Sequence, residues 1–197
     1  MPWKNGLKAD SGPWLLENES PGVRYLALKQ LRGLGDEDPA LEAAARLAHQ
    51  EGPIAAALAE MRPEGFWVRP GHGYNPKYHS AVWSLILLAQ LGASIHYDER
   101  IATACSYLLD HNLTAGGLFT CTGAPSGTVD CLQGNLCRAL VELGCDDPRL
   151  EQAFEWLARS VTGEGVAPGS DAKALPRYYS YKCGPGFACG ANHGQSC

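Results

Sequence analysis

The sequence predicts an all-α fold of stacked helical hairpins, on three observations. First, one pattern recurs in Leu31 to Leu41, Leu88 to Ile101 and Leu140 to Leu150. In each, an apolar run stops at Leu-Gly, a short polar turn follows, and an Asp opens a second apolar run. The glycines are Gly35, Gly92 and Gly144, spaced by 57 and then 52 residues, a period expected of repeated supersecondary units. Second, the runs between these joints place their apolar residues at helical spacing. Third, Gly65-Phe66-Trp67, Gly116-Gly117-Leu118-Phe119 and Gly163-Glu164-Gly165-Val166 each set Gly before a large apolar residue after a second helix.

Taken in order, Pro21 after Ser20 opens the first helix, which runs to about Leu34. Gly35 stands where a left-handed residue stops a helix, as do Gly92 and Gly144. Asp38 before Pro39 and Asp147 before Pro148 pair an N-cap acceptor with a residue that loses no bond at the first helical position. Asp98 lacks the Pro but has Glu99 in the first turn, which suits the helix dipole. Ile54, Ala57, Leu58 and Met61 follow Pro53 at helical spacing, and Val82, Leu85, Ile86 and Ala89 do the same in a helix expected to start near Pro76. Leu132, Leu136, Ala139, Leu140 and Leu143 mark another face. Leu150, Ala153, Phe154, Leu157 and Val161 mark the last, which ends near Thr162. No alternating strand stands out; Arg177–Lys182 reads as loop, with a short strand as the alternative. The Gly-apolar endings read as sharp turns whose next side chain plugs the gap between neighbouring hairpins.

At 197 residues the chain is one domain by length, with helical repeats over 20–165 and a Gly/Cys-rich tail over 166–197. Hydrophobic content of 45% and charged content of 19% give it an ordinary core. A net charge of -5 and a pI near 5.6 offer no basic footprint for nucleic acid. The longest apolar run, 81–91, is broken by Ser84 and Gln90 and is too short for a membrane span. The start M-P-W-K-N-G has no apolar core of a signal peptide, so the expected location is cytoplasmic. Three hairpins leave an apolar face open at each end of the stack. The expectation is therefore an N-terminal part of a longer protein, or a chain that pairs with another, as in a homo-oligomer.

Paired helices at this period, each pair closed by Gly and an aromatic, resemble the terpene cyclase and protein prenyltransferase superfamily, in its prenyltransferase and squalene-oxidase-repeat branch. The resemblance rests on the repeat grammar over about residues 20–165. It is closest in Arg62-Pro63-Glu64-Gly65-Phe66-Trp67, which is similar to a Gln-x-x-x-Gly-x-Trp ending, and in Asn135 to Gly144 with Asp147-Pro148-Arg149. It implies a partial α/α toroid with an apolar, isoprenoid-like ligand in its central cavity, and a transferase or isomerase activity of that kind. The departures are specific. The string nearest to the cyclase Asp-x-Asp-Asp acid is Asp36-Glu37-Asp38-Pro39, in a hairpin turn with a capping role, and Cys145-Asp146-Asp147-Pro148 is its equivalent. Arg62 replaces the Gln of the repeat ending. Asp130-Cys131 is similar to the Asp and Cys of a prenyltransferase zinc site, with adjacent rather than spaced residues.

Two regions carry candidate chemistry. Residues 66–83, F-W-V-R-P-G-H-G-Y-N-P-K-Y-H-S-A-V-W, hold the densest set of aromatic, His and cationic residues. Trp67, Tyr74, Tyr78 and Trp83 are candidates to line an apolar cavity and face a cation with their rings. Arg69 and Lys77 are candidates for an anionic group, and His72 and His79 for acid–base work, His79 as the catalytic candidate. The alternative is that Trp67 and Trp83 pack hairpins together and the histidines lie on an exposed loop. Asp130 is a second catalytic candidate, either an acid at a helix start or one that faces the cavity. The tail carries Cys183, Cys189, His193 and Cys197, spaced C-x5-C-x3-H-x3-C among glycines, a donor set for zinc or an iron–sulfur cluster. That metal site also defines the alternative function, a non-catalytic binding or scaffold protein. Free or disulfide-bonded cysteines are the other readings, and Cys105, Cys137 and Cys145 fit buried free thiols best.

Overall fold

Asp38 accepts the Ala40 N–H at 2.8 Å and Asp147 accepts the Arg149 N–H at 2.9 Å, so both Asp-Pro joints open helices by the expected capping bond. The structure is a computed structural model that describes residues 8–124 and 127–162, with the isolated positions 167 and 173. Among the described residues it is all-α: 55% helix with no strand. Isolated bridges pair Leu113 with Phe119 and Thr120 with Thr128 and brace one loop. Among the described residues no helix is long and apolar enough to cross a membrane.

A short α1, Gly12–Leu15, precedes α2, Pro21–Leu26, which continues as a π-helical turn through Ala27–Leu31. Then come α3 Pro39–Gln50, α4 Pro53–Ala59, α5 Ala81–Gln90, α6 Arg100–Asn112, α7 Asp130–Glu142 and α8 Arg149–Thr162. The hairpins are α2 with α3 and α4, α5 with α6, and α7 with α8; α5 also packs on α4 and α7. The first hairpin differs from the others because Gly52, at φ 79°, splits its second limb in two.

Two boundaries differ from expectation. The first helix ends at Gly33, which takes φ 67°, rather than at Gly35. The wide π turn is what shifts the stop, with Arg32 N–H bonding to Ala27 O at 3.0 Å. The helix expected near Pro76 begins at Ala81, because residues 65–80 form a loop of their own with a cis Asn75–Pro76 bond. Gly92 and Gly144 stop their helices in left-handed geometry, at φ 78° and 88°.

The first two Gly-apolar endings act as the sequence suggested. Gly65 lies so close to α6 that a Cβ would fall 2.6 Å from Thr103 O, and at Gly117 a Cβ would overlap Gln152 O on α8. Each ending thus lays its backbone on the second helix of the next hairpin. The following side chains fill the seam: Trp67, Leu118 and Phe119 are buried, and Trp67 Nε1–H donates to Ala57 O at 2.7 Å. The third ending lies outside the described residues. Phe154 and Val161, on one face of α8, stay 43% and 58% exposed.

Candidate functional site

Helix α5 is apolar nearly all round, unlike its amphipathic neighbours α3 and α8. One face, with Val82, Leu85, Leu88 and Ala89, is buried in the core. The other carries Trp83, Ile86, Leu87 and Gln90 at i, i+3, i+4 and i+7; Leu87 is 47% exposed and the two apolar neighbours are half-buried. On α2, Val23, Leu26 and Gln30 form a similar stripe that ends in an amide. Both stripes run into a cleft of about 620 Å³.

The cleft lies where the last turns of α2, α5 and α7 meet the first two joints. Its walls include Tyr25, Lys29, Gln30, Gln90, Tyr97 and Arg138. The joints are held against each other: Ile95 N–H donates to Leu143 O at 2.9 Å, and Gly92 has no room for a Cβ beside the Tyr25 ring. His49 fixes the floor from below. It donates from Nδ1 to Ala45 O at 2.7 Å and accepts at Nε2 from Ser94 N–H at 3.0 Å. That tautomer is neutral, and burial pushes the His49 pKa below its ordinary value against the opposing pull of the Ala45 carbonyl and Asp98.

The cations around the cleft are paired, while Glu37 of its lining has no ion pair among the described residues. Arg138 binds Glu142 at 2.8 Å, Arg46 binds Glu42 at 2.8 Å, and Lys29 lies 3.8 Å from Asp36 and over the Tyr25 ring. Lys29 is raised above its usual pKa by the Tyr25 hydroxyl and Asp36, against the lowering effect of burial. The cleft therefore presents hydroxyls, amides and neutralised ion pairs rather than a single sign of charge.

Loop 65–80 places the residues singled out in the sequence. Tyr74 and Tyr78 flank Trp83 at ring separations of 5.3 and 5.0 Å, and the Trp83 N–H donates to Tyr74 O at 2.9 Å. Lys77 lies 5.2 Å from the Tyr78 ring and 5.5 Å from that of Trp83. The structure thus brings Tyr74, Lys77, Tyr78 and Trp83 together, with Trp83 continuing into the stripe of α5. It separates Trp67, which is buried between hairpins, and Arg69, whose Nε–H reaches Asn75 O at 3.3 Å. His72 donates to His111 O at 2.6 Å and anchors the loop on the end of α6. Tyr107 on α6 binds both the N–H and C=O of Gly71, at 2.7 and 3.1 Å. His79 is exposed at the loop's end, before Ser80. Beside this anchor a second, more open hollow of about 620 Å³ is lined by Phe66, Pro70, Tyr107 and His111.

Asp130 is the first residue of α7, and its side chain lies outside the described residues. So do Cys183, Cys189, His193 and Cys197. Among the described residues no group of three or more His, Cys, Asp or Glu is placed to hold a metal ion. The five described cysteines, Cys105, Cys121, Cys131, Cys137 and Cys145, are free thiols. Of the two acidic strings, Asp38 caps α3, and Asp147 caps α8 while binding Arg149 at 2.8 Å; the Arg149 bonds draw its carboxyl down to about 2.

The cleft was missed in the sequence because its walls come from three helix ends. The one local signal was an amide or acid two residues before Gly92 and Gly144, Gln90 and Glu142, closing an apolar run. Comparison with protein-family models, curated proteins and solved structures returns no match.

Proposed function

We propose that this chain is a segment of an α/α toroid that binds an amphipathic ligand, an isoprenoid-like apolar chain with a neutral polar head. The observation that carries the reading is the stripe Trp83, Ile86 and Leu87, of which Leu87 is exposed and the other two half-buried, leading to Gln90 in the polar cleft. An apolar chain laid on the stripe removes that surface from water. The head then meets Gln30, Gln90, Tyr25 and Tyr97. A hydroxyl suits this end better than a diphosphate, since Lys29 and Arg138 already have acidic partners. The function assigned is binding. Asp38 and Asp147 are engaged as caps, in hairpin turns rather than as proton donors of the cyclase kind. The tail run Cys183, Cys189, His193 and Cys197 is retained as a proposed zinc site on its donor set alone.

The test uses farnesol as the probe on the full chain, by equilibrium dialysis. Saturable binding is expected, weakened about tenfold or more in Leu87→Asp, since covering one such side chain is worth ~1.5–3 kcal/mol. Leu87 is 47% exposed, so the variant keeps its core. Farnesyl diphosphate is expected to bind no more tightly than farnesol. No saturable binding to the wild type, or an unchanged affinity in Leu87→Asp, overturns the reading.

A further inference from the structure

His49 lies under the cleft, 5% exposed in the last turn of α3, with both ring nitrogens engaged. Nδ1 donates to Ala45 O at 2.7 Å and Nε2 accepts from the Ser94 N–H at 3.0 Å. Ser94 is in turn the hub of the joint between α5 and α6. Its carbonyl accepts from the Tyr97 and Asp98 N–H groups at 3.1 and 3.3 Å, and its Oγ accepts from the His96 N–H at 3.2 Å. The turn 94–98 is thus folded on Ser94, and the Ser94 N–H ties it to α3. The Tyr97 ring packs on the same imidazole, with ring centres 4.9 Å apart. Gly92, Ser94, His96 and Tyr97 of this joint line the cleft, so one of its walls is set by the His49 ring.

A second proton reverses one of these bonds. In an imidazolium both nitrogens donate, so Nε2–H would face the Ser94 N–H, donor against donor, in a buried site. The ring and the turn then have to part. The surrounding charges do not offset this. Asp98 favours the added proton, but its carboxylate is bound to Arg100 at 2.6 Å. Arg46 of α3 and His96 of the joint lie against the Tyr97 ring, at 5.7 and 4.8 Å, and Tyr25 of α2 acts on Tyr97 too. Burial, first, holds the His49 pKa below its ordinary value, against the Ala45 carbonyl and Asp98.

We propose that His49 is a positioning residue for the cleft and makes ligand binding acid-sensitive: the neutral ring holds the turn 94–98 in the binding geometry, and the protonated ring drives it off α3. This regulation rests on the reading of the cleft as the site for the polar head of an amphipathic ligand. The ligand then prefers the neutral form. Affinity is full above the folded pKa of His49, which lies under ~6.5, and falls as the pH drops below it. By reciprocity, bound ligand lowers the His49 pKa further.

The experiment follows the His49 ring and the Ser94 amide of the full chain by NMR from pH 7.5 to pH 4.5, and repeats the farnesol dialysis over the same range. The Ser94 amide is expected to shift with the midpoint of the His49 ring. Farnesol affinity is expected to fall about fivefold or more across that midpoint. In His49→Gln, whose amide oxygen can take the place of Nε2 but does not titrate, both profiles are expected to be flat, with affinity at pH 7.5 within about twofold of the wild type. A purely structural role would leave the wild-type and variant profiles parallel. A Ser94 amide indifferent to the titration of the ring, or an equal acid loss of farnesol in both proteins, overturns the proposal. Should the variant unfold, the wild-type midpoints decide. Should farnesol not bind at any pH, the ligand reading and its regulation fail together, and the Ser94 midpoint alone shows whether His49 positions the turn.

Discussion

His49 donates through one ring nitrogen and accepts through the other, which leaves no place for a second proton without losing the Ser94 N–H bond. Its pKa is lowered in the fold, so the unfolded chain takes up the proton at a higher pH than the native one does. Stability from this site is therefore complete above the ordinary His value of ~6.5. It falls as the pH drops below that value towards the lowered folded pKa, and the lost part stays lost below it. Urea midpoints measured at pH 5 and pH 7 should drop on acidification, and the drop should shrink in His49→Gln. An equal drop in both proteins would assign the acid sensitivity to other groups. Trp67 and Trp83 were read together in the sequence as aromatic neighbours of one loop. They part in the fold because Trp67 reaches Ala57 O while Trp83 begins the half-buried outer stripe of α5.

Among the elements, the Gly-apolar endings are seams between hairpins and the helices are replaceable rods. Gly117 has φ 79° and no space beside the backbone of α8. Gly117→Ala is expected to cost about 3 kcal/mol, from left-handed strain together with displaced packing. Gly134, within α7, has nothing within 4 Å of a built Cβ. Gly134→Ala is expected to stabilise by roughly 0.5–1 kcal/mol, because alanine favours the helix and restricts the unfolded chain. Thermal unfolding of the two variants checks both signs, and similar shifts would show that the seam is not tightly packed. The helices, the Asp-Pro caps and the seams were legible because each depends on residues close in sequence. The start of α5 was not. Pro76 looked like a first helical residue, but its segment is committed to contacts with Tyr107 and His111, 36 and 39 residues away from their partners.

At the scale of the molecule, three hairpins stack with their joints in contact and leave Leu87 on α5 and Phe154 and Val161 on α8 exposed. The tail lies beyond this stack in sequence, and the proposed zinc site there makes a separable prediction. Elemental analysis of protein purified without affinity metals should find about one zinc per chain, lost in Cys189→Ala and in His193→Ala. The helical content of the hairpins should persist, since their cores are closed by Leu85, Leu108, Leu136 and Leu140. Protein without zinc, with the tail thiols freely titratable, would remove the metal reading and leave the cleft as the functional lead.

What the sequence determined by itself was local: where helices open at Asp-Pro, where Gly92 and Gly144 stop them, and that a period near 50 makes hairpins stack. Those features rest on capping, backbone freedom and hydrophobic periodicity, which act over a few residues. The tertiary structure alone decided which aromatic residues are buried, which cysteines are buried, and that three helix ends enclose a polar cleft. Each of these joins residues tens of positions apart, and their distance is set by how the hairpins pack, which no short pattern encodes.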